Sequence, residues 1–359
     1  MKDNVKLMKG NEAIAHAAIR YGCDGYFGYP ITPQSEVLET LEAEMPWETT
    51  GMVVLQAESE VASINMVYGG AATGKAVMTS SSSPGVSLKQ EGISYMAACQ
   101  LPAVVVNVMR GGPGLGSIQP AQGDYFQATR GGGNGDYRTV VLAPANIQEA
   151  VDLTQEAFDI ADQYRNPVVV LADGLIGQMM EPIVWKERTP RTLPEKTWAA
   201  CGRGDRDHSN FVTSLLIDAP ACEAHNLELN KKVLEMEKNE CRWEEILLDD
   251  AELVIVAYGT PSRVAQTAAE NLRKQGIKAG VFRPITVWPY PYGRLREIAG
   301  LDRVKTFLTV EMSLGQMLDD VNLAVAERKP VKFYGRCGGA IPHVSEVEQA
   351  AAEAWKEVK

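Results

Sequence analysis

Ala103-Val104-Val105-Val106-Asn107-Val108-Met109 runs directly into Arg110-Gly111-Gly112-Pro113, and this stretch decides the fold class. A nearly unbroken apolar run without alternation describes a strand covered on both faces, as in parallel sheets packed between helices. An arginine and flexible glycines then follow at the strand's carboxyl end, where open α/β sheets collect ligands. The guanidinium fork of Arg110 suits a carboxylate or phosphate, and a surface ion pair is the competing reading of the same residue.

On the amino-terminal side, a strand is expected over 75–80, then the small-residue turn Ser81-Ser82-Ser83-Pro84-Gly85, then a helix through Tyr95 and Cys99. A strand, a serine- and glycine-rich turn and a helix N-terminus make a cradle for an anion or a polar ring. Earlier still, Val54-Leu55-Gln56-Ala57-Glu58-Ser59-Glu60 is an apolar strand feeding a helix that opens on two carboxylates. Their position complements the helix dipole, which explains them without any further role. Gly25-Tyr26-Phe27-Gly28-Tyr29-Pro30 reads as a short buried strand, and Pro30 and Pro33 bracket Thr32 in a stiffened loop. The Thr32 hydroxyl either orients a ligand or caps a helix over 36–41. Asn11 is expected to cap a first helix that Gly22 ends.

On the carboxyl-terminal side, a glycine cluster at 131–137 precedes a strand at 140–143, a capping box Asn146-Ile147-Gln148-Glu149 and a helix toward Gln163. A buried strand at 167–172 closes the set. Strand and helix alternate from about residue 10 to 180, which predicts a doubly wound parallel sheet in a domain over 1–185. Residues 186–248 read as a linker or insertion, with a charge-rich helix over 223–247 that includes Trp243 and Ile246. A second α/β unit over 249–359 has strands at 253–259, 278–282, 306–311 and 331–335.

Composition narrows the function. The chain has 359 residues, 45% hydrophobic and 23% charged, with a formal net charge of -11 that disfavours nucleic acid as the main partner. No apolar run reaches the length of a membrane span, and no leader-like segment opens the chain, so a cytoplasmic protein is expected. The 6 cysteines are scattered without Cys-x-x-Cys and the 4 histidines are dispersed, so no metal or iron–sulfur site is expected in this chain. Gly69-Gly70-Ala71-Ala72-Thr73-Gly74-Lys75 nearly spells a phosphate-binding loop, but Ala76 stands where Ser or Thr is required and a helix precedes it.

Taken together, Tyr29-Pro30-Ile31-Thr32-Pro33, then Gln56-Ala57-Glu58-Ser59-Glu60 with Gly69 and Gly74, then Arg110-Gly111-Gly112-Pro113, resemble the alpha subunit of 2-oxoacid:ferredoxin oxidoreductases. Arg283-Pro284-Ile285-Thr286-Val287-Trp288-Pro289 extends the resemblance into the second unit, so that it covers nearly the whole chain. Gly114-Leu115-Gly116-Ser117-Ile118-Gln119-Pro120 and Gly123-Asp124-Tyr125-Phe126-Gln127 look most like the branched-chain enzyme, which acts on 3-methyl-2-oxobutanoate. The 2-oxoglutarate enzymes usually read Gly-Pro-Ser-Thr-Gly there.

The resemblance implies an α/β protein with a pyrimidine-type thiamine diphosphate domain followed by a transketolase C-terminal-like domain. It implies oxidative decarboxylation of a 2-oxoacid to an acyl-CoA, with coenzyme A as substrate and ferredoxin as electron acceptor, in anaerobic metabolism. This chain lacks a Gly-Asp-Gly followed by Asn, so the cofactor's diphosphate and magnesium are expected on a beta subunit. The iron–sulfur clusters are expected on gamma or ferredoxin-like subunits, the whole being a dimer of heteromers. Glu60 matches the carboxylate that activates the aminopyrimidine ring, with Glu58 in reserve, and Ile31, Val61 and Ile64 are the candidates for its apolar surroundings. Pro30, Ile31, Ser82 and Ser83 are expected at the cofactor. Thr32 and Arg110 match substrate-binding positions, and Leu115 and Ile118 are the candidates for lining a branched side chain. The second unit is read as packing without chemistry. Pyruvate or 2-oxoglutarate as substrate, or a non-catalytic assembly subunit of the same fold, are the alternatives.

Overall fold

The computed structural model describes residues 5–359; the first four, part of the N-terminal segment read above as lacking a leader, lie outside the described residues. The chain opens with β1 (Val5–Lys9) and α1 (Gly10–Tyr21). It continues through β2 (Gly25–Gly28), α2 (Ser35–Glu44), α3 (Pro46–Thr49), β3 (Val53–Gln56), α4 (Glu60–Ala72), β4 (Val77–Ser81), α5 (Pro84–Ala98) and β5 (Ala103–Met109). Then come α6 (Tyr125–Arg130), β6 (Val140–Leu142), α7 (Ile147–Tyr164), β7 (Pro167–Asp173), α8 (Gly174–Gln178), β8 (Met180–Val184) and α9 (Ala219–Asn239). The rest comprises β9 (Trp243–Ile246), β10 (Leu253–Val256), α10 (Thr260–Lys274), β11 (Ala279–Pro284), β12 (Thr286–Trp288), α11 (Tyr292–Ala299), β13 (Thr306–Glu311), α12 (Gln316–Val325), β14 (Val331–Gly335) and α13 (Val344–Lys356).

The first sheet has the order β12-β6-β7-β5-β4-β2-β3. Its strands are parallel except β12, which runs against β6. Every residue of β5 and of β7 is buried, as an apolar run without alternation requires. After β2 the chain pairs β3 on one side, then crosses back to lay β4 on the other. That reversal is a topological switch point, which leaves a crevice at the strands' carboxyl ends. The loops after β2, β3, β4 and β5 therefore emerge at one edge, and they carry Thr32, Glu60, Ser82 and Arg110. The second sheet has the order β14-β13-β10-β11-β9, with only β9 antiparallel.

Local sequence accounts for the element ends. Gly22 takes φ 91° and its N–H caps α1, and the Asn146 side chain accepts from the Glu149 N–H at 2.8 Å to open α7. The structure also corrects three expectations. Asn11 is inside α1 rather than capping it: its buried amide donates to the Pro33 carbonyl at 2.6 Å and to Glu36 at 2.9 Å, pinning the loop after β2. Gln34, not Thr32, stands at the N-terminal boundary of the helix after that loop, and its side chain makes no cap there, so Thr32 has no capping role. The charge-rich helix stops at Asn239, and Trp243 and Ile246 belong to β9, paired against β11. One feature carried no expectation: β12 leaves the second unit to close the edge of the first sheet beside β6. The antiparallel pair β1 and β8 carried no short-range signal, because its partners lie far apart in sequence.

Candidate active site

Ser59 caps α4, its hydroxyl accepting from the Ala62 N–H at 3.1 Å. That cap places Glu60 as the first helical residue and leaves Glu58 outside the helix, where it is exposed and accepts from the Ser59 hydroxyl at 3.0 Å. The Glu60 side chain turns inward and is only 8% exposed. Dipole complementation alone needs no burial, so the inward turn of Glu60 distinguishes the two acids. The surroundings expected for Glu60 are only partly formed. Ile64 is buried, but Val61, next in sequence on the helix, points away into solvent, because neighbouring helical residues diverge by about a quarter turn.

Glu60 instead lies against the start of α5. A Cβ placed on Gly85 would stand 2.8 Å from Glu60 Oε1 and would collide with Ser81 Oγ, so glycine leaves the space that the carboxylate fills. The hydroxyls of Ser81 and Ser82 are buried there without any hydrogen-bond partner. An orphaned buried hydroxyl costs about 1 to 3 kcal/mol, which a polar ligand would recover. Two orphaned hydroxyls, a glycine gap and an inward carboxylate are a donor and acceptor set that fits the aminopyrimidine ring of thiamine diphosphate.

Ser83 ties this cradle to Arg110. Its hydroxyl accepts from the Arg110 N–H at 3.0 Å and donates to Asp124 Oδ2 at 2.6 Å, and Asn107 Nδ2 donates to the same oxygen at 2.9 Å. Burial pushes the Asp124 carboxyl above its usual range, while Ser83, Asn107 and the charge of Arg110 pull it back. The Arg110 guanidinium is itself buried, 8% exposed, and bridges two loops by donating to the Thr32 carbonyl at 2.8 Å and the Leu115 carbonyl at 3.1 Å. Its Nε has no partner. A buried guanidinium spent on neutral carbonyls keeps its charge for an incoming anion. Arg110 and Thr32 are thus brought together, through the threonine backbone rather than its hydroxyl.

Thr32 and Ile118 line one cavity of about 510 Å³ with Pro33, Glu36, Leu175 and Gln178. A second cavity, about 600 Å³, joins Ser83, Gly112 and Asp124 to Met312, Ser313 and Cys337 of the second unit. The lining expected from Leu115 is not formed within this chain. Gly114 and Gly116 turn the loop at φ 68° and 53°, and the Leu115 side chain between them is 82% exposed. Ile31 is half-buried and Pro30 exposed beside it.

Sequence reasoning placed Gly85 in the cradle without a role of its own, and it missed Asn107, Asp124 and Lys89. Lys89 is fully buried on α5, its Nζ donating to Thr79 Oγ1 at 3.0 Å and to Ser63 Oγ. A signal existed: Val86, Lys89, Ile93 and Ala97 recur at helical spacing on a buried face, where a lysine is out of place. Among the described residues, no cluster of His, Cys, Asp and Glu is built to hold a metal ion, and no helix is long and apolar enough to cross a membrane.

Comparisons with known proteins give the family of the chain. Residues 16–238 match the family described as pyruvate flavodoxin/ferredoxin oxidoreductase, thiamine diphosphate-binding. Residues 251–347 match pyruvate:ferredoxin oxidoreductase core domain II. The chain is 51% identical to ketoisovalerate oxidoreductase subunit VorB of Methanothermobacter thermautotrophicus, over 97% of each chain. It is 35% identical to 2-oxoglutarate synthase subunit KorA of Methanocaldococcus jannaschii, over 96% of this chain and 99% of that one. Among solved structures, it superposes on 2-oxoglutarate:ferredoxin oxidoreductase from Magnetococcus marinus with a TM-score of 0.85 at 26% identity, covering 98% of this chain and 65% of that one. A split-gene transketolase shares the fold, with a TM-score of 0.59 at 15% identity over 98% of this chain and 99% of that one.

Proposed function

The chain belongs to the 2-oxoacid:ferredoxin oxidoreductase family as an alpha-type subunit, and from that premise we propose that it serves the oxidative decarboxylation of 3-methyl-2-oxobutanoate. The products are the branched acyl-CoA and carbon dioxide, and two ferredoxins each take one electron. The observation that carries the reading is the run of candidate groups at the carboxyl ends of β2, β3, β4 and β5, with unpartnered Ser81, Ser82 and Arg110 Nε among them. The branched-chain substrate is supported by 51% identity to a ketoisovalerate subunit against 35% to a 2-oxoglutarate subunit.

When bound, thiamine diphosphate supplies the nucleophilic carbon that adds to the 2-oxo group and the ring that receives the electrons left by decarboxylation. Glu60 would hold a proton or a strong hydrogen bond at a ring nitrogen, and Ser81 and Ser82 would meet the ring's polar edge. Pro30 and Ile31 supply its outer wall. Arg110 pairs the substrate carboxylate, and the Thr32 hydroxyl reaches the oxo side, the two being fixed by the bond already joining them. Ile118 lines the side-chain cavity. Leu115 reaches that cavity only with the glycine loop folded over it.

The site is one half of a cofactor site. The diphosphate and magnesium belong to a beta subunit, the iron–sulfur clusters to further subunits, and the assembly is a cytoplasmic dimer of heteromers. The division of labour follows residues 1–185, 186–248 and 249–359. A partner surface is available: β3 is an edge strand with Val53 and Leu55 exposed, and Val61 and Met66 are exposed on the helix that follows. Reconstituted complex assayed with 3-methyl-2-oxobutanoate, 2-oxoglutarate and pyruvate tests the substrate. The expected order of kcat/KM puts the branched acid first, and a 2-oxoglutarate preference overturns it. Glu60→Gln should lower kcat at least about a hundredfold, with Glu58→Gln within about threefold of the parent. Full activity in Glu60→Gln would make this an assembly subunit.

A further inference from the structure

Lys89 is wholly buried, and it lies one turn beyond Gly85 on the same face of α5. Gly85 is the residue whose missing Cβ makes room for Glu60 Oε1. The Lys89 Nζ is anchored by two hydroxyls, Thr79 Oγ1 from β4 at 3.0 Å and Ser63 Oγ from α4. Ser63 in turn donates to the Glu60 carbonyl at 3.0 Å, so the anchor and the carboxylate share one turn of helix. No salt bridge is made to Lys89 among the described residues, and Glu60 is the one charged group that acts on it through space. Burial holds the ammonium down to about 7, with the negative charge of Glu60 opposing that shift.

A buried lysine with only hydroxyl partners costs the fold free energy that a methionine in the same space would not. Packing therefore does not account for it, whereas proximity to Glu60 does. We propose that Lys89 is a positioning residue for Glu60, its ammonium drawing the carboxylate inward over Gly85 and setting the charge that Glu60 presents to the cofactor ring. The proposal rests on the reading of Glu60 given above. Ser63 from α4 and Thr79 from β4 hold Nζ, and Glu60 from α4 acts on it through space, so the charge interaction is between two side chains.

Sign and readout follow. Removing the buried positive charge makes negative charge beside it less favourable, so the pH midpoint of the bound ring's signal should rise. The test uses the reconstituted complex with thiamine diphosphate and follows the near-ultraviolet circular dichroism of the bound ring against pH, alongside kcat and KM. In Lys89→Met the dichroism midpoint should rise by about one unit or more, and kcat should fall at least about tenfold with the oxoacid KM within about twofold. Ser63→Ala removes one anchor from the ammonium and should move the midpoint the same way by less; Lys89→Arg should restore part of the parent profile. Should Lys89→Met not assemble, Ser63→Ala carries the test. An unchanged midpoint in the assembled variants, with the parent complex active and Glu60→Gln inactive, overturns the role of Lys89 alone. An active Glu60→Gln overturns the site reading on which it rests.

Discussion

Gly85 faces Glu60 across a gap with no space for a side chain: a Cβ at Gly85 would lie 2.8 Å from Glu60 Oε1. Gly85→Ala should displace the carboxylate and Ser81 together. Alanine also favours a helix over glycine by up to about 1 kcal/mol, so the melting temperature should change little. Activity should fall about a hundredfold, as misplacing a reacting group by about an ångström does. A variant that melts normally and turns over normally would show that the gap does not position Glu60.

Arg110 holds the loop after β2 and the glycine loop through the Thr32 and Leu115 carbonyls. Arg110→Lys keeps the charge but loses the fork that reaches two loops and an anion together. A lost charge-assisted bond is worth about 1.5 to 3 kcal/mol, so kcat/KM for the oxoacid should fall between about tenfold and two-hundredfold. The loss should appear mainly in KM, measured by steady-state kinetics of the complex. A lysine variant with the parent KM would remove Arg110 from substrate binding.

Gln122 clamps the second unit to the loop that carries Asp124. Its side chain donates to the Tyr258 carbonyl at 2.9 Å and accepts from the Met312 N–H at 2.9 Å, while its own N–H reaches the Met312 carbonyl at 2.8 Å. Gln122→Ala leaves two buried backbone groups unpartnered and should cost about 2 to 5 kcal/mol, read from denaturant midpoints. Activity should fall with it if the second unit holds Asp124 in place. A stability loss without an activity loss supports the reading of that unit as packing alone.

Lys232, like Lys89, is held down to about 7 by burial, with the charge of Arg165 adding to the shift. Above about pH 7 the native amine is neutral, while in the unfolded chain it stays protonated up to about 10.5. Unfolding therefore takes up a proton across that window, and stability rises with pH within it, by up to about 1.4 kcal/mol per unit for each such lysine. Urea midpoints at pH 7, 8 and 9 should rise less steeply in Lys232→Met than in the parent. Equal slopes would place the titration of Lys232 outside this window.

Much of the fold was legible from short-range pattern. The nearly unbroken apolar runs at 103–109 and 167–172 became central strands because hydrophobic continuity reports burial on both faces directly. Gly22 and Asn146 ended and began helices where their local chemistry required. The crossing of β12 into the first sheet was not legible, because a three-residue strand pairs with residues more than 140 positions away and leaves no periodic trace. Asn11 misled because its polar side chain satisfies a distant carbonyl rather than its own helix end.

The sequence by itself determined which residues stand at the carboxyl ends of which strands, since that depends on where apolar runs stop. It placed Thr32, Glu58, Glu60, Ser82, Ser83 and Arg110 at loops of one kind. Only the tertiary structure decided that Glu60 turns inward and Glu58 outward, that the Ser81 and Ser82 hydroxyls are left unpartnered, and that Lys89 is buried against the hydroxyls of Ser63 and Thr79. Those outcomes depend on side-chain direction across α4, α5 and β4, and direction is set by packing between elements that no local stretch of sequence contains.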